Sequence, residues 1–118
     1  MGVWEWDPAT NVVICNETMD RIYGYSPTIA IPEGGRLVET RYERFAAAIH
    51  PEDLSEVETK LQQVIAQQGE GTSEYRIILP DGSIRNISAV ERAILDESGK
   101  VTRLVGVNVD ITDRQAAA

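Results

Sequence analysis

Two short runs of β-prone residues, Val3 to Asp7 and Asn11 to Asn16, open the chain, and the turn formers Pro8-Ala9-Thr10-Asn11 lie between them. They predict a hairpin. Asn16 is placed to cap a short helix reaching Tyr23, with Met19, Ile22 and Tyr23 turned inward and Gly24 as its left-handed stop. The stretch Ile31-Pro32-Glu33-Gly34-Gly35 breaks regular structure. Beyond it, Thr40-Arg41-Tyr42-Glu43 matches a capping box, and Tyr42, Phe45 and Ile49 recur at helical spacing, so a second helix is expected there. His50-Pro51-Glu52-Asp53 places proline at a first helical position and acids in a first turn. The longest helix starts here, with Leu54, Val57, Leu61, Val64 and Ile65 as its apolar stripe, Glu56 and Lys60 one turn apart, and Gly69 or Gly71 as its end.

From about residue 72 the period changes. β-Branched residues alternate with polar ones across roughly 72–79, 84–95 and 101–111, broken at Pro80-Asp81-Gly82 and Glu97-Ser98-Gly99-Lys100. Such short breaks predict an antiparallel meander. Alternation through the last strand puts Leu104, Gly106, Asn108 and Asp110 on one face and Val105, Val107, Val109 and Ile111 on the other. A solvated outer face reads as a polar row, so valines there imply a covering partner, and Val105, Val107 and Val109 are the interface candidates.

Composition narrows the function. At 118 residues, 42% hydrophobic and 25% charged, the chain is one ordinary globular domain. A net charge of -8 opposes nucleic-acid phosphates and anionic lipid, so neither nucleic acid nor direct membrane contact is expected. One cysteine, Cys15, and one histidine, His50, leave no disulfide, no CxxC motif and no histidine pair for zinc. With an acidic N-terminus in place of a secretory leader, a cytoplasmic location is expected.

The ordered landmarks Trp4-Glu5-Trp6-Asp7, Tyr23-Gly24-Tyr25-Ser26-Pro27, His50-Pro51-Glu52-Asp53, Glu74-Tyr75-Arg76, Pro80-Asp81-Gly82-Ser83 and Leu104 to Thr112 together resemble a PAS domain of a bacterial signalling protein. The resemblance runs from Val3 to Gln115. It implies an α+β fold: a five-stranded antiparallel sheet with helices packed on one face around a cavity. Residues 1–115 are expected to form the sensor domain and 116–118 a truncated linker or tag remnant. It further implies a downstream effector domain in the same chain, from a histidine kinase or a diguanylate cyclase or phosphodiesterase, while the valine row leads to the expectation of a homodimer. In that reading Asp110, Ile111 and Thr112 carry the signal out of the last strand.

The ligand-pocket candidates are Tyr42, Tyr75, Ile77, Ile87, Ala89, Leu104 and Asn108. They form an apolar wall with a few polar tips, as small-molecule pockets require. By resemblance to the flavin-binding light sensors of the family, Asn108 matches an inward amide at the flavin edge. The reactive cysteine motif of those relatives is missing, however, and Cys15 on the second strand reads as a small buried hydrophobe. His50 precedes Pro51 as a helix cap, whereas haem sensors of the family carry their ligand within the long helix. The cofactor is therefore open. Trp4 and Trp6 read as core or interface residues, and Glu52, Asp53, Glu56 and Glu58 as a solvated acidic face. No catalytic constellation emerges, although Glu91 is the single inward acid an enzyme could use. The readings, in order, are a non-catalytic small-molecule sensor, a ligand-free dimerisation module and a small α+β enzyme.

Overall fold

The runs at the two ends of the chain join in one antiparallel sheet, with the first strand lying beside the last. The computed structural model describes residues 1–25 and 38–113. The expected break at Ile31 to Gly35 and the tail from Arg114 lie outside the described residues.

β1 (Gly2–Asp7) and β2 (Val12–Cys15) form the hairpin, with Trp4 opposite Cys15 and Trp6 opposite Val13. Asp7 holds its turn by accepting from the amides of Ala9 and Thr10. Asn11 closes the turn in the left-handed region at φ 67°, which asparagine tolerates better than most side chains. Asn16 then caps α1 (Glu17–Ile22) by accepting from the Met19 amide, and Gly24 at φ 71° turns the chain out.

The capping box at Thr40 does not form. Val38–Arg41 is instead a strand, β3, paired along β2 with Thr40 opposite Val13, which gives the sheet six strands where five were expected. The open edge of β2 offers a full row of backbone partners, which outweigh one side-chain cap. The next helix, α2 (Tyr42–Ala46), therefore starts from Arg41 with no side-chain cap, and Glu43 accepts from the Asn11 side-chain Nδ2 instead.

α3 (Pro51–Gln67) starts as read, with His50 Nδ1 accepting from the Glu52 amide at 3.1 Å. Its end differs from expectation. Gln68, not a glycine, takes the left-handed position at φ 55°, while the amides of Gln68 and Gly69 return to the carbonyls of Ile65 and Val64. The Gln68 side chain offsets the strain by donating to the Gly99 carbonyl at 2.7 Å. Lys60 likewise passes over Glu56 and donates to the Thr72 carbonyl.

β4 (Glu70–Ile78), β5 (Ile84–Leu95) and β6 (Val101–Asp110) are the meander, and the sheet order is β3-β2-β1-β6-β5-β4. The backbone between α2 and α3 covers the outer edge of β4: His50 N donates to Arg76 O and Ile78 N to Ala48 O, both at 2.8 Å. Trp6, Val13, Cys15, Tyr75, Ile77, Ile87, Ala89 and Leu104 point from the concave face into the core beneath the helices. Ile111 departs from the outer valine row. The strand ends at Asp110, the Ile111 amide turns to the Asn86 carbonyl, and its side chain is buried.

The acids at the start of α3 are not merely solvated. Asp53 accepts from the Arg76 amide at 2.8 Å and from its guanidinium at 2.8 and 3.0 Å, and Glu52 adds a further contact to the same group. The Arg76 side-chain hydrogen bonds hold the Asp53 carboxyl down to about 2. A lowered carboxyl contributes stability above its ordinary range near about 4, and that contribution disappears as pH falls through 2. Because both side chains keep some solvent contact, Asp53→Asn is expected to lower the melting temperature by only a few degrees at pH 7. Thermal unfolding of the two proteins from pH 7 to pH 2 checks this, and the difference should close at the acid end.

Candidate functional site

The polar atoms on the concave face find one another across the sheet. Asn108 is 2% exposed on β6, and its carboxamide is satisfied on both sides: Trp4 Nε1 donates to Oδ1 at 2.9 Å, and Nδ2 donates to Tyr75 Oη at 3.1 Å. Tyr23 extends the chain, its hydroxyl 3.4 Å from that of Tyr75. One asparagine thus links β1, β6, β4 and α1. Burial, above all other causes, pushes the Tyr23 and Tyr75 hydroxyls above the usual phenol range, so both stay protonated donors at neutral pH.

Trp4 sits over Gly106, its cross-strand partner. A β-carbon at Gly106 would lie 2.1 Å from the Trp4 ring, so the absence of a side chain makes room for the indole that reaches Asn108. Beside this chain lies a cavity of about 70 Å³, lined by aromatic and aliphatic groups from both tryptophans, α1, α2 and α3. Drug-sized ligands occupy roughly 300–1,000 Å³, so this space suits a molecule of a few heavy atoms.

The structure brings Tyr42, Tyr75, Ala89 and Asn108 of the expected pocket residues to the cavity wall. Ile77, Ile87 and Leu104 are fully buried in the core and do not line it. Sequence reasoning missed Trp4, Trp6, Tyr23, Phe45 and Ser73 as wall residues, having assigned the aromatics to core or interface. Tyr42 stacks on Trp6 with ring centres 4.9 Å apart and donates outward to Glu58 at 3.0 Å. Glu91 also faces the cavity. It is 2% exposed, it accepts from Ser73 Oγ at 3.1 Å, and burial raises its carboxyl above the ordinary range.

Cys15 is fully buried, and its thiol is pushed up to about 11 by burial, with the Asp20 charge adding to the effect. Such a thiol is a poor nucleophile. Nearby, buried Asp20 pairs with Arg44 at 2.6 Å, and the Arg44 guanidinium lies 4.5 Å over the Tyr25 ring.

Asp110 and Thr112 form a knot at the exit of β6. Asp110 accepts from the Thr112 amide and hydroxyl, and Thr112 Oγ1 accepts from the Asn86 amide at 3.0 Å. Arg85 lies 3.7 Å from Asp110 and donates to the carbonyls of Arg21 and Ile22 at the end of α1. The last strand is thereby tied to the helix that carries Met19 and Tyr23 to the cavity. On the convex side, register aligns Val3, Val107 and Val90 across three strands, with Val3 and Val90 exposed. Val105, Val107 and Val109 are half-buried. No helix among the described residues is long and apolar enough to cross a membrane.

The family model for the PAS fold matches residues 12–108. The chain is 27% identical over 113 residues to the probable diguanylate cyclase DgcE of Escherichia coli K12, covering 96% of this chain. It spans 9% and 11% of the length of the curated relatives it matches. Among solved structures it is similar to a sensory box histidine kinase/response regulator from Burkholderia thailandensis, at 27% identity and a TM-score of 0.77 over 98% of this chain and 80% of that one. The N-terminal domain of a diguanylate cyclase with PAS/PAC sensor from Marinobacter aquaeolei shares the fold at 23% identity and a TM-score of 0.78, each chain 97% covered.

Gly106→Ala is expected to displace the Trp4 indole, break its bond to Asn108 and cost about 1–3 kcal/mol, the range for overpacking a filled core. Urea unfolding gives the loss. A shift of one of the two tryptophan indole N–H resonances, with the other left in place, identifies the cause.

Proposed function

The chain belongs to the PAS fold family, as a sensory, non-catalytic domain of the kind found in signal-transduction proteins, and from that premise we propose that it senses a small molecule in its concave-face cavity. The observation that carries this reading is the Trp4–Asn108–Tyr75 chain beside the cavity. A ligand that competes for any of those hydrogen bonds perturbs β6 directly, because Asn108 is part of that strand. The perturbation leaves through Asp110, Ile111 and Thr112 into an effector domain further along the same chain, in a cytoplasmic histidine kinase or cyclic-di-GMP enzyme. Arg85 couples the same exit to α1, so movement of the helix and of the strand act on one knot. Relay of this kind requires that the ligand bind the two arrangements unequally.

Native mass spectrometry of freshly purified protein, followed by addition of small metabolites, tests it. A retained or acquired mass that disappears in Asn108→Leu is the expected result. A protein that takes up no small molecule at millimolar concentration overturns the reading.

The convex face supports a second role, as the surface on which a second copy of this chain docks. The Val3–Val107–Val90 row, exposed at Val3 and Val90, is flanked by Glu5 and Arg92, which lie opposite Val105 in the same register row. A two-fold axis along β6 would bring each acid toward the other copy's base, in exchange for their exposed pairs with Arg103 and Glu70, making the patch self-complementary. Light scattering over a dilution series should find a concentration-dependent dimer that Val107→Glu converts to monomer. A wild-type monomer at the highest concentration removes this role.

A further inference from the structure

The cavity's hydrogen-bonding groups are nearly all spent on one another. Trp4, Asn108 and Tyr75 form their chain, and the Ser73 hydroxyl is committed to Glu91 Oε1. Glu91 Oε2 has no hydrogen-bond partner among the described residues, and no described Lys or Arg forms an ion pair with this carboxyl. The amine whose charge does reach it, that of Lys60, is directed to the Thr72 carbonyl. Glu91 Oε2 is thus an unpartnered carboxyl oxygen, not sealed into the core, on a residue that lines the cavity, and a carboxyl with so little compensation inside a protein favours a cationic partner.

The rest of the wall fits the same partner. Trp4, Trp6, Tyr23, Phe45 and Tyr75 surround the space with aromatic rings, whose faces attract cations, tryptophan most strongly. One water needs about 10–15 Å³ of such space, so 70 Å³ accommodates about five non-hydrogen atoms. The net charge of -8 raises the concentration of cations around the protein before they enter.

We infer that the cavity binds small alkylammonium ions, with Glu91 as the counter-ion and the aromatic wall enclosing the alkyl groups. The inference rests on the small-molecule reading and specifies its ligand class. Ser73 serves as a positioning residue that fixes one carboxylate oxygen and leaves the other for the ligand's N–H.

The test compares tert-butylammonium, charged at pH 7, with tert-butanol, which has the same size and shape without the charge. Each is titrated into the 118-residue chain and followed through the two tryptophan indole N–H resonances. Binding of the ammonium at least about tenfold tighter than the alcohol is expected, as a buried charge-assisted contact provides. Glu91→Gln should abolish that preference. Equal or tighter binding of the alcohol by the wild type, or an ammonium affinity unchanged in Glu91→Gln, overturns the ligand class and leaves the small-molecule reading standing. Failure of both probes to bind overturns the alkylammonium class, and the small-molecule reading is then decided by the metabolite titration. The wild-type comparison decides the charge preference even if the variant does not fold.

Discussion

A carboxamide in the middle of an apolar sheet face must have both its donor and its acceptor engaged, and this requirement at Asn108 organises the molecule. Trp4 Nε1 answers the oxygen and the Tyr75 hydroxyl answers the nitrogen. To reach Asn108, the Trp4 indole has to pass over Gly106, which requires β1 to pair with β6 in the observed register. Tyr75 in turn fixes β4, and its contact with Tyr23 brings α1 to the same point. Leaving either end of the amide unpaired inside the core would cost about 1–3 kcal/mol, a substantial part of a small domain's stability.

The same network makes the interior a poor place for nucleophilic or acid–base chemistry. The Trp4, Asn108 and Tyr75 groups satisfy one another, the phenols remain protonated at neutral pH, and the thiol is sealed away with its acidity suppressed. The route outward is short, because the residues after Asn108 on β6 lead directly to the Asp110–Thr112 knot, and Arg85 joins that knot to the end of α1. The convex valines alternate with Asn108 along the same strand, so the cavity and the outer face share one backbone.

Much of this was legible in the chain because alternation and turn chemistry are local. The hairpin, the meander, the Asn16 and His50 caps and the inward face of β6 follow from residue spacing alone. What failed was decided by partners distant in sequence. Thr40 had the chemistry of a cap, but the edge of β2 recruited it into a strand. Gln68 took a position that spacing assigned to glycine, aided by a carbonyl at Gly99. In the cavity, parity selects a face but not a depth, so Ile77, Ile87 and Leu104 looked equivalent to Tyr75 and Ala89 until the helices were in place. Glu91 shares the parity of Ala89, and Ser73 lies opposite Ala89 in register, so their meeting could have been found once β4 and β5 were aligned.

The central claim is that Trp4 and Asn108 act as one unit, and a double-mutant cycle measures it most directly. Trp4→Phe, Asn108→Leu and the double variant are compared with the wild type by urea unfolding. The structure predicts a coupling energy of about 1 kcal/mol or more between the two positions, since each single change leaves the other partner's polar group unpaired, fully buried at Asn108 and half-buried at Trp4. Strictly additive losses would mean that the two side chains do not hold each other, and the account of the site would fail with them.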